Sequence, residues 1–558
     1  MLERLRNLIA RHPAAAAFAA AALFLSLGAA GNEITRIDVR FAVMVDDLRI
    51  HGAGVFPTIN GFPYPDYFSP LVLLAYLTTF GGRWINLWSL SLPAILCGSA
   101  LFALVVAIGE HRRRGAGVFA AALLAMSWEF LLILLSFGID LPVSAAAALM
   151  IWSYECHPER RRTQPLLFFL LTLLSFAVRG PLGAILFCSV TGGYLLGSRR
   201  WRDLFIAVGA GFAGTALAAA VAVRLIFRQG GGELWRIFLV WQIGSRIIAD
   251  APLYYFTSAI GSFVPVTAVG VAAAVIHRRK LLAPDFAGWL GAIVLPLLLL
   301  SIPGCKHLRY MTPTLPFFAL LGAEAFPPLF RRFERAANTA TAFLARALPW
   351  IVGAALLVLA ALGLVLWRAD FTALPNLAVG LLAAFFLGRI AAPVTENSGR
   401  IAAIGAAAML LMTAGGFPFF NHFEGSRPTV RRIEAERAGG RIFIYRIGPD
   451  HNDLKYRLHA DPDAPAKTIW IGPHRRNTWS HLQKMYDCRE VAQTEFRSGD
   501  LVLLDRSREK EFRELPQIAG HFAVLRKLEG RLGHRRVALL RLEHAVPADP
   551  AAKPRAGE

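Results

Sequence analysis

Asp38 and Arg40, Asp66, Asp140, Arg179, Arg246, and Lys306 with Arg309 stand out because each lies at the edge of a long apolar run. A charge at the rim of the hydrocarbon is costly unless it is paired or used, which makes such residues functional candidates by default. Snorkelling towards water accounts for any one of them taken singly. It accounts less well for acidic and basic groups arriving from several separate segments. Carboxylates gathered with cations suit acid–base work on a hydroxyl together with stabilisation of an anion. Charges of this kind also line the substrate pathways of transporters, so at this level both readings stand.

The elements that position these residues are membrane spans. The chain has 558 residues, 55% hydrophobic and 17% charged, whereas soluble domains are about a quarter charged. Residues 1–414 hold many apolar runs of about 17–22 residues, the length that crosses a hydrocarbon core, while 415–558 hold none. The expected fold is a polytopic α-helical membrane protein with a small C-terminal α/β domain. A membrane domain covers 1–414 and an extracytoplasmic accessory domain 415–558. About thirteen spans are expected, near 13–30, 85–109, 116–137, 141–156, 164–178, 181–197, 203–226, 256–276, 286–302, 309–326, 346–366, 375–391 and 401–414. Residues 31–84 and 227–255 then face outside, the first as loops with short interfacial helices. In the C-terminal part, apolar runs such as 441–447, 468–471 and 501–504 alternate with helical stretches such as 481–487, the pattern of an α/β unit.

The net charge of +21 invites a nucleic-acid partner. Its distribution excludes that partner in favour of topology. Much of the excess sits in HRRR at 111–114, ERRR at 159–162, RRWR at 199–202, HRRK at 277–280 and RRFER at 331–335, short loops of the kind that stay cytoplasmic. With the N-terminus inside and its first apolar run retained as a span, every one of these clusters falls inside and the candidate charges fall outside. The five cysteines show no metal or CxxC spacing. Polar residues such as His451, Asp453, His474 and Arg475 in the C-terminal part have no metal or nucleophile spacing either, and read as solvated surface.

Residues 36–67, RIDVRFAVMVDDLRIHGAGVFPTINGFPYPDY, resemble the first external loop of the GT-C glycosyltransferases related to the lipid A aminoarabinose transferase and the protein O-mannosyltransferases. Asp38, Arg40, Phe41, Ala42, Gly54, Pro57, Asn60, Gly61, Pro63 and Tyr64 match its pattern in order. Further matches follow: FGIDLPVSAAAALMIW at 137–152 with Asp140, LSFAVRGPLGAIL at 174–186 with Arg179 for the family's Lys, WQIGSRI and APLYYF at 241–256 with Arg246 and Tyr255, and CKHLRYMTPTLPFFALL at 305–321 with Lys306, Arg309 and Tyr310. Two departures are evident. The family's Glu-Lys-Pro-Pro step reads Pro65-Asp66-Tyr67-Phe68, and its Asp-Glu pair reads Ile37-Asp38.

The resemblance implies transfer of a sugar from a polyprenyl-phosphate carrier to an acceptor hydroxyl on a glycolipid, protein or polymer. The transfer would take place at the external face of the cytoplasmic (inner) membrane. Asp38 is then the first candidate for the acid–base role, with Asp66 and Asp140 as further catalytic candidates. Arg40, Tyr64, Arg179, Arg246, Tyr255, Lys306, Arg309 and Tyr310 are expected to bind substrate. No cofactor is required, a divalent metal is left open, and membrane lipid is the remaining partner. The rival reading is a transporter or flippase-like protein for a lipid-linked or anionic substrate.

Overall fold

The computed structural model describes residues 11–30, 32–35, 38–59, 61–242, 252–304, 306–332, isolated positions between 339 and 385, 397–418, 421, 427–437, 441–445, 468–471, 488–489, 491, 494–515, 522–524, 530–532 and 535–542. The spans expected at 346–366 and 375–391, the helical stretch at 481–487, and Arg246, His451, Asp453, His474 and Arg475 lie outside the described residues.

The first helix, α1 (Pro13–Ala29), has proline in its first turn, where no amide bond is lost. The segment after it carries α2 (Asp38–His51), a two-stranded hairpin of β1 (Thr58–Ile59) and β2 (Phe62–Pro63), and α3 (Ser69–Thr78). Next, α4 (Leu87–Arg112) starts at a capping box in which Asn86 Oδ1 accepts from Ser89 N at 2.9 Å and Ser89 Oγ accepts from Asn86 N at 3.2 Å. Its 26 residues span roughly 39 Å at 1.5 Å per residue, enough to cross a bilayer core of about 30 Å.

The run expected as one span at 116–137 is two helices, α5 (Ala116–Ala125) and α6 (Trp128–Leu135), bent by 77° at Met126-Ser127. Apolar length alone could not reveal the bend. Then come α7 (Leu141–Cys156), α8 (Gln164–Arg179) and α9 (Pro181–Gly197). The last two are separated at Gly180, whose φ of 69° only glycine adopts readily, and Pro181 starts the next helix. Where α9 meets α12 (Pro284–Ser301), Gly193 and Gly291 face each other so closely that a Cβ on either would strike the other's backbone. Small residues allow such close approach between membrane helices.

The segment expected as a span at 203–226 followed by an external stretch is one long helix, α10 (Trp201–Gln242), broken at Gly230 and Gly231. Glycines at 230–232 permit the kink without ending the helix. Beyond it, Leu234 and Phe238 pack with Phe56, Phe68 and Phe176. Gln229 Oε1 accepts from Val55 N at 2.8 Å, and Gln242 Nε2 donates to the carbonyls of Pro65 at 3.0 Å and Asp66 at 3.2 Å. Before the kink, α10 turns Phe205, Val208, Phe212 and Val221 outward, as a helix facing lipid should. Next come α11 (Val266–Ile276), then α12, and after a 3₁₀ turn over Leu308–Thr314, α13 (Leu315–Arg332) and α14 (Asn397–Leu410). By length and composition, four described helices can cross a membrane, or five with the bent pair taken as one span; several apolar helices are shorter.

The basic loops meet at one end of this bundle. Arg112 pairs with Glu155 at 2.8 Å and Glu324 at 3.7 Å, lies 4.4 Å over the Trp289 ring and donates to the Asp285 carbonyl at 3.0 Å. Tyr194 also donates to Glu155. These bonds tie α4, α7, α9, α12 and α13 together at the end opposite Asp140 and Arg179.

The C-terminal residues form α15 (Arg427–Arg437) and a seven-stranded mixed sheet. Its order is β5-β4-β3-β6-β9-β7, with β8 (Gly530–Leu532) also on β9. β3 (Ile442–Tyr445) runs parallel to both β4 (Thr468–Ile471) and β6 (Leu501–Asp505), and β4 parallel to β5 (Cys488–Arg489). β9 (Arg535–Leu542) is antiparallel to β6 and to β7 (Phe522–Val524). Ile442, Ile444, Leu501 and Leu503 belong to one apolar face; Phe443, Tyr445, Val502 and Leu504 belong to the other, with Phe496 and Phe512. Burial of both faces explains why these strands read as unbroken apolar runs.

Candidate functional site

Opposite the basic loops, three helix ends bring charge together. Asp140 stands at the start of α7 and Arg179 at the end of α8, so consecutive antiparallel helices place an anion beside a cation. Arg179 Nε donates to Asp140 Oδ1 at 3.0 Å, with both side chains 1% exposed. The 3₁₀ turn ahead of α13 adds Arg309, whose Nε is 3.6 Å from Asp140 Oδ2. Two guanidinium groups therefore share one carboxylate. Arg179 Nη1, Arg309 Nε and Asp140 Oδ2 are buried and make no hydrogen bond.

Aromatic rings enclose the pair. Arg179 lies 5.4 Å over the Tyr67 ring and 5.5 Å over that of Tyr310, whose hydroxyl accepts from Arg179 Nη2 at 3.4 Å. Tyr67 stacks on Tyr64 at 5.8 Å and tilts against Phe41 at 5.0 Å; Phe41 stacks on Phe137 at 4.0 Å. Arg40 joins the outer end of this row, its Nη1 donating to the Tyr64 hydroxyl at 2.7 Å. Tyr67 thus occupies the place of the family's lysine as a buried ring under Arg179, and no cation stands at that position.

Asp38 opens α2, where the helix dipole favours a carboxylate. It is buried, and its Oδ1 accepts from Phe137 N at 2.8 Å. Asp38, Asp140 and Arg309 line one cavity of about 280 Å³, together with Thr35, Trp128, Glu129, Ser136 and Asn421. Asn421 is fixed there, accepting from Thr35 Oγ1 at 2.7 Å and donating to the Glu33 carbonyl at 2.8 Å.

The remaining sequence candidates stand as follows. Lys306 donates to the carbonyls of Leu300 at 3.0 Å and Ser301 at 2.8 Å, closing the C-terminal end of α12, and its ammonium lies 5.5 Å over the Tyr255 ring. Tyr255 in turn exchanges hydrogen bonds with the backbone of His307, its hydroxyl accepting from His307 N at 3.2 Å and donating to His307 O at 3.3 Å. Lys306 and Tyr255 therefore brace the loop that carries His307 and Arg309. His307 is held below its ordinary pKa by burial first, then by Arg309 and Arg179, while Asp66 and Asp140 act the other way. Asp66 thus lies within electrostatic reach of the cation pair, on a backbone pinned by Gln242.

The sequence reading named Tyr67 only as a departure from the motif, and overlooked His307, Trp128 and Glu129. For Glu129 a signal existed, an acid inside an otherwise apolar run. Among the described residues no group of three or more His, Cys, Asp or Glu is placed to hold a metal ion.

No protein-family model matches the chain, and no curated protein does. Solved structures do. ArnT from Cupriavidus metallidurans bound to undecaprenyl phosphate aligns with a TM-score of 0.64 and 15% identity over 96% of this chain and 98% of that one. Its apo state gives the same values. The archaeal oligosaccharyltransferase AglB from Archaeoglobus fulgidus, in complex with an inhibitory peptide and a dolichol-phosphate, aligns with a TM-score of 0.43 and 12% identity over 90% of this chain and 70% of that one. The resemblance read from the motif strings thus holds at the level of the fold, and this chain folds as ArnT does.

Proposed function

We propose that this protein is a membrane glycosyltransferase that moves a sugar from a polyprenyl-phosphate carrier to an acceptor hydroxyl at the external face of the inner membrane. The observation that carries this reading is the pair of guanidinium groups, Arg179 buried and Arg309 partly exposed, on a single carboxylate beside a cavity lined by Asp38. Counting Arg179, Arg309 and the Asp140 they share, with Asp66 acting on Arg179 from farther off, the cluster has one positive charge in excess at its centre. A lipid phosphate supplies the missing anion, and arginine pairs its oxygens two at a time. The fold shared with ArnT, a protein solved with undecaprenyl phosphate bound, supports the same class of donor.

In the reaction the acceptor oxygen forms a bond to the anomeric carbon as the anomeric carbon–oxygen bond to phosphate breaks. That electron pair passes to the phosphate oxygen. Arg179 and Arg309 hold the donor phosphate and stabilise the charge that grows on it. Asp38 takes the acceptor's proton, its carboxylate oriented by the Phe137 amide. Tyr310 and Tyr67 hold Arg179 in position, and the neutral His307 adds no competing cation. Arg40 and Tyr64 extend the polar surface outward, and Asp66 is a further candidate contact for sugar or acceptor.

The basic loops at the opposite end support an orientation with those loops cytoplasmic and the site outside, within an arrangement of about thirteen spans. Residues 415–558 then form an external accessory domain that shapes acceptor access. The decisive experiment incubates the purified protein with a panel of polyprenyl-phosphate sugars and follows release of polyprenyl phosphate. Release with at least one donor, lost in Arg179→Gln, supports transfer. Binding of undecaprenyl phosphate without release from any donor, alongside its movement between leaflets of a vesicle, would favour the flippase-like reading.

A further inference from the structure

One wall of the cavity takes no part in the chemistry above. Trp128 and Glu129 open α6 directly after the 77° bend, and the bend brings both into the lining. At about 280 Å³ the cavity lies just below the range of roughly 300–1,000 Å³ that holds drug-sized ligands. That is room for a single sugar ring. Because Arg309 and Asp140 belong both to the cation cluster and to this lining, a ring bonded directly to the phosphate falls inside it. Asp140, whose side chain is 1% exposed, lines the same space, but its Oδ2 faces Arg309 Nε at 3.6 Å, so the wall formed by Trp128 and Glu129 is the part left to meet an occupant.

We propose that the ring of the transferred sugar occupies this cavity, with Trp128 as its stacking platform and Glu129 accepting hydrogen bonds from two neighbouring ring hydroxyls, so that these residues set which monosaccharide is accepted. The inference rests on the sugar-transfer reading and assigns the part of it that chooses the sugar. An indole presents a broad apolar face with a negative quadrupole, which suits the C–H face of a pyranose. The two oxygens of a carboxylate match two adjacent hydroxyls, and hydrogen bonds to an ionised acceptor are the strong ones. Glu129 also acts on the Tyr254 hydroxyl, which burial, and then this carboxylate, keeps above its ordinary pKa and therefore protonated.

The test compares undecaprenyl phosphate, which has no sugar, with undecaprenyl phosphates carrying glucose, mannose, a pentose or a deoxy analogue of each, on full-length protein in nanodiscs. In the wild type at least one sugar-loaded lipid is expected to bind more tightly than undecaprenyl phosphate. Glu129→Gln and Trp128→Ala should weaken that lipid by about ten- to a hundredfold, the range for a lost hydrogen bond to a charged group, and shift undecaprenyl phosphate by less than about twofold. Trp128→Phe should recover most of the loss, and Glu129→Gln should erase the preference for the parent sugar over its deoxy analogue. Equal weakening of both lipids, or of neither, overturns the assignment. So does a wild type that never prefers a sugar-loaded lipid. If Trp128→Ala fails to fold, Trp128→Phe and Glu129→Gln decide alone, because unchanged discrimination in both refutes the proposal. Failure of the wild type to bind undecaprenyl phosphate at all would instead sink the transfer reading beneath it.

Discussion

Asp140→Asn isolates what the shared carboxylate does. The substitution keeps the side-chain shape and an acceptor for Arg179 Nε, but removes the one negative charge that lies 3.0 Å from Arg179 and 3.6 Å from Arg309. At an effective dielectric constant near 20, a pair about 4 Å apart has roughly 4 kcal/mol of gross attraction. Much of that is offset by desolvation in the native pair. Removing one partner of a buried pair nevertheless costs about 3–5 kcal/mol, because the surviving charge stays buried without compensation. Here Arg179 would stay buried while Arg309 is 20% exposed and Asp66 acts on Arg179 from nearby, so the lower half of that range is expected. A phosphate would then occupy a site more positive than in the wild type. At a hundred times its dissociation constant, a ligand stabilises the folded form by about 2.7 kcal/mol. Undecaprenyl phosphate should therefore restore most of the loss, and raise the melting temperature of Asp140→Asn at least as much as that of the wild type. The assay is thermal unfolding in detergent with and without the lipid. A variant that melts like the wild type would show that the pair holds little. A variant stabilised by the lipid much less than the wild type would show that Arg179 and Arg309 are not the phosphate's partners.

Three further outcomes follow from the same geometry. Asp38→Asn keeps an oxygen for the Phe137 amide but loses the base, so turnover should fall by about a hundredfold or more with donor affinity retained, as steady-state rates and lipid titration will report. Lys306→Ala removes the ammonium that closes α12, which should lower stability by about 0.5–2 kcal/mol while weakening donor binding less than Arg179→Gln does; the reverse order would make Lys306 a phosphate ligand. For topology, a membrane-impermeant thiol reagent applied from outside should label Ala53→Cys and not Arg161→Cys, both at exposed positions, and the opposite pattern would invert the orientation.

Helix existence was legible wherever polarity changed sharply along the chain. The boundary at Gly180-Pro181 falls where turn chemistry puts it, and β3 and β6 were legible as short unbroken apolar runs, the mark of strands buried on both faces. Bends were illegible because a kinked run and a straight run have the same apolar length. The break between α5 and α6 turns on Ser127, an ordinary polar residue at a helix start, and the glycines of α10 signal permission to bend without signalling where the helix goes next. For the site, single charges were legible by their cost at the hydrocarbon edge, but their partnerships were not. Sequence treats Arg179, Lys306 and Arg309 as equivalent cations. Only packing separates Lys306, spent on helix carbonyls, from Arg179 and Arg309, which share Asp140.

The substitution of tyrosine for the family's lysine illustrates why that separation matters to function. On sequence alone, Tyr67 reads as a lost phosphate-binding cation. In the structure its ring lies under Arg179 and against Phe41, so the position supports a cation already present. Had a lysine stood here, the cluster would hold three cations around Asp140, and like charges at such separations repel by kilocalories in a poorly screened site. Arg179, which stands where the family has lysine, keeps Nη1 without a protein partner while its Nε goes to Asp140 and its Nη2 to Tyr310. The arginine at 179 and the tyrosine at 67 thus fit together in packing: the tyrosine gives the arginine a face to rest on.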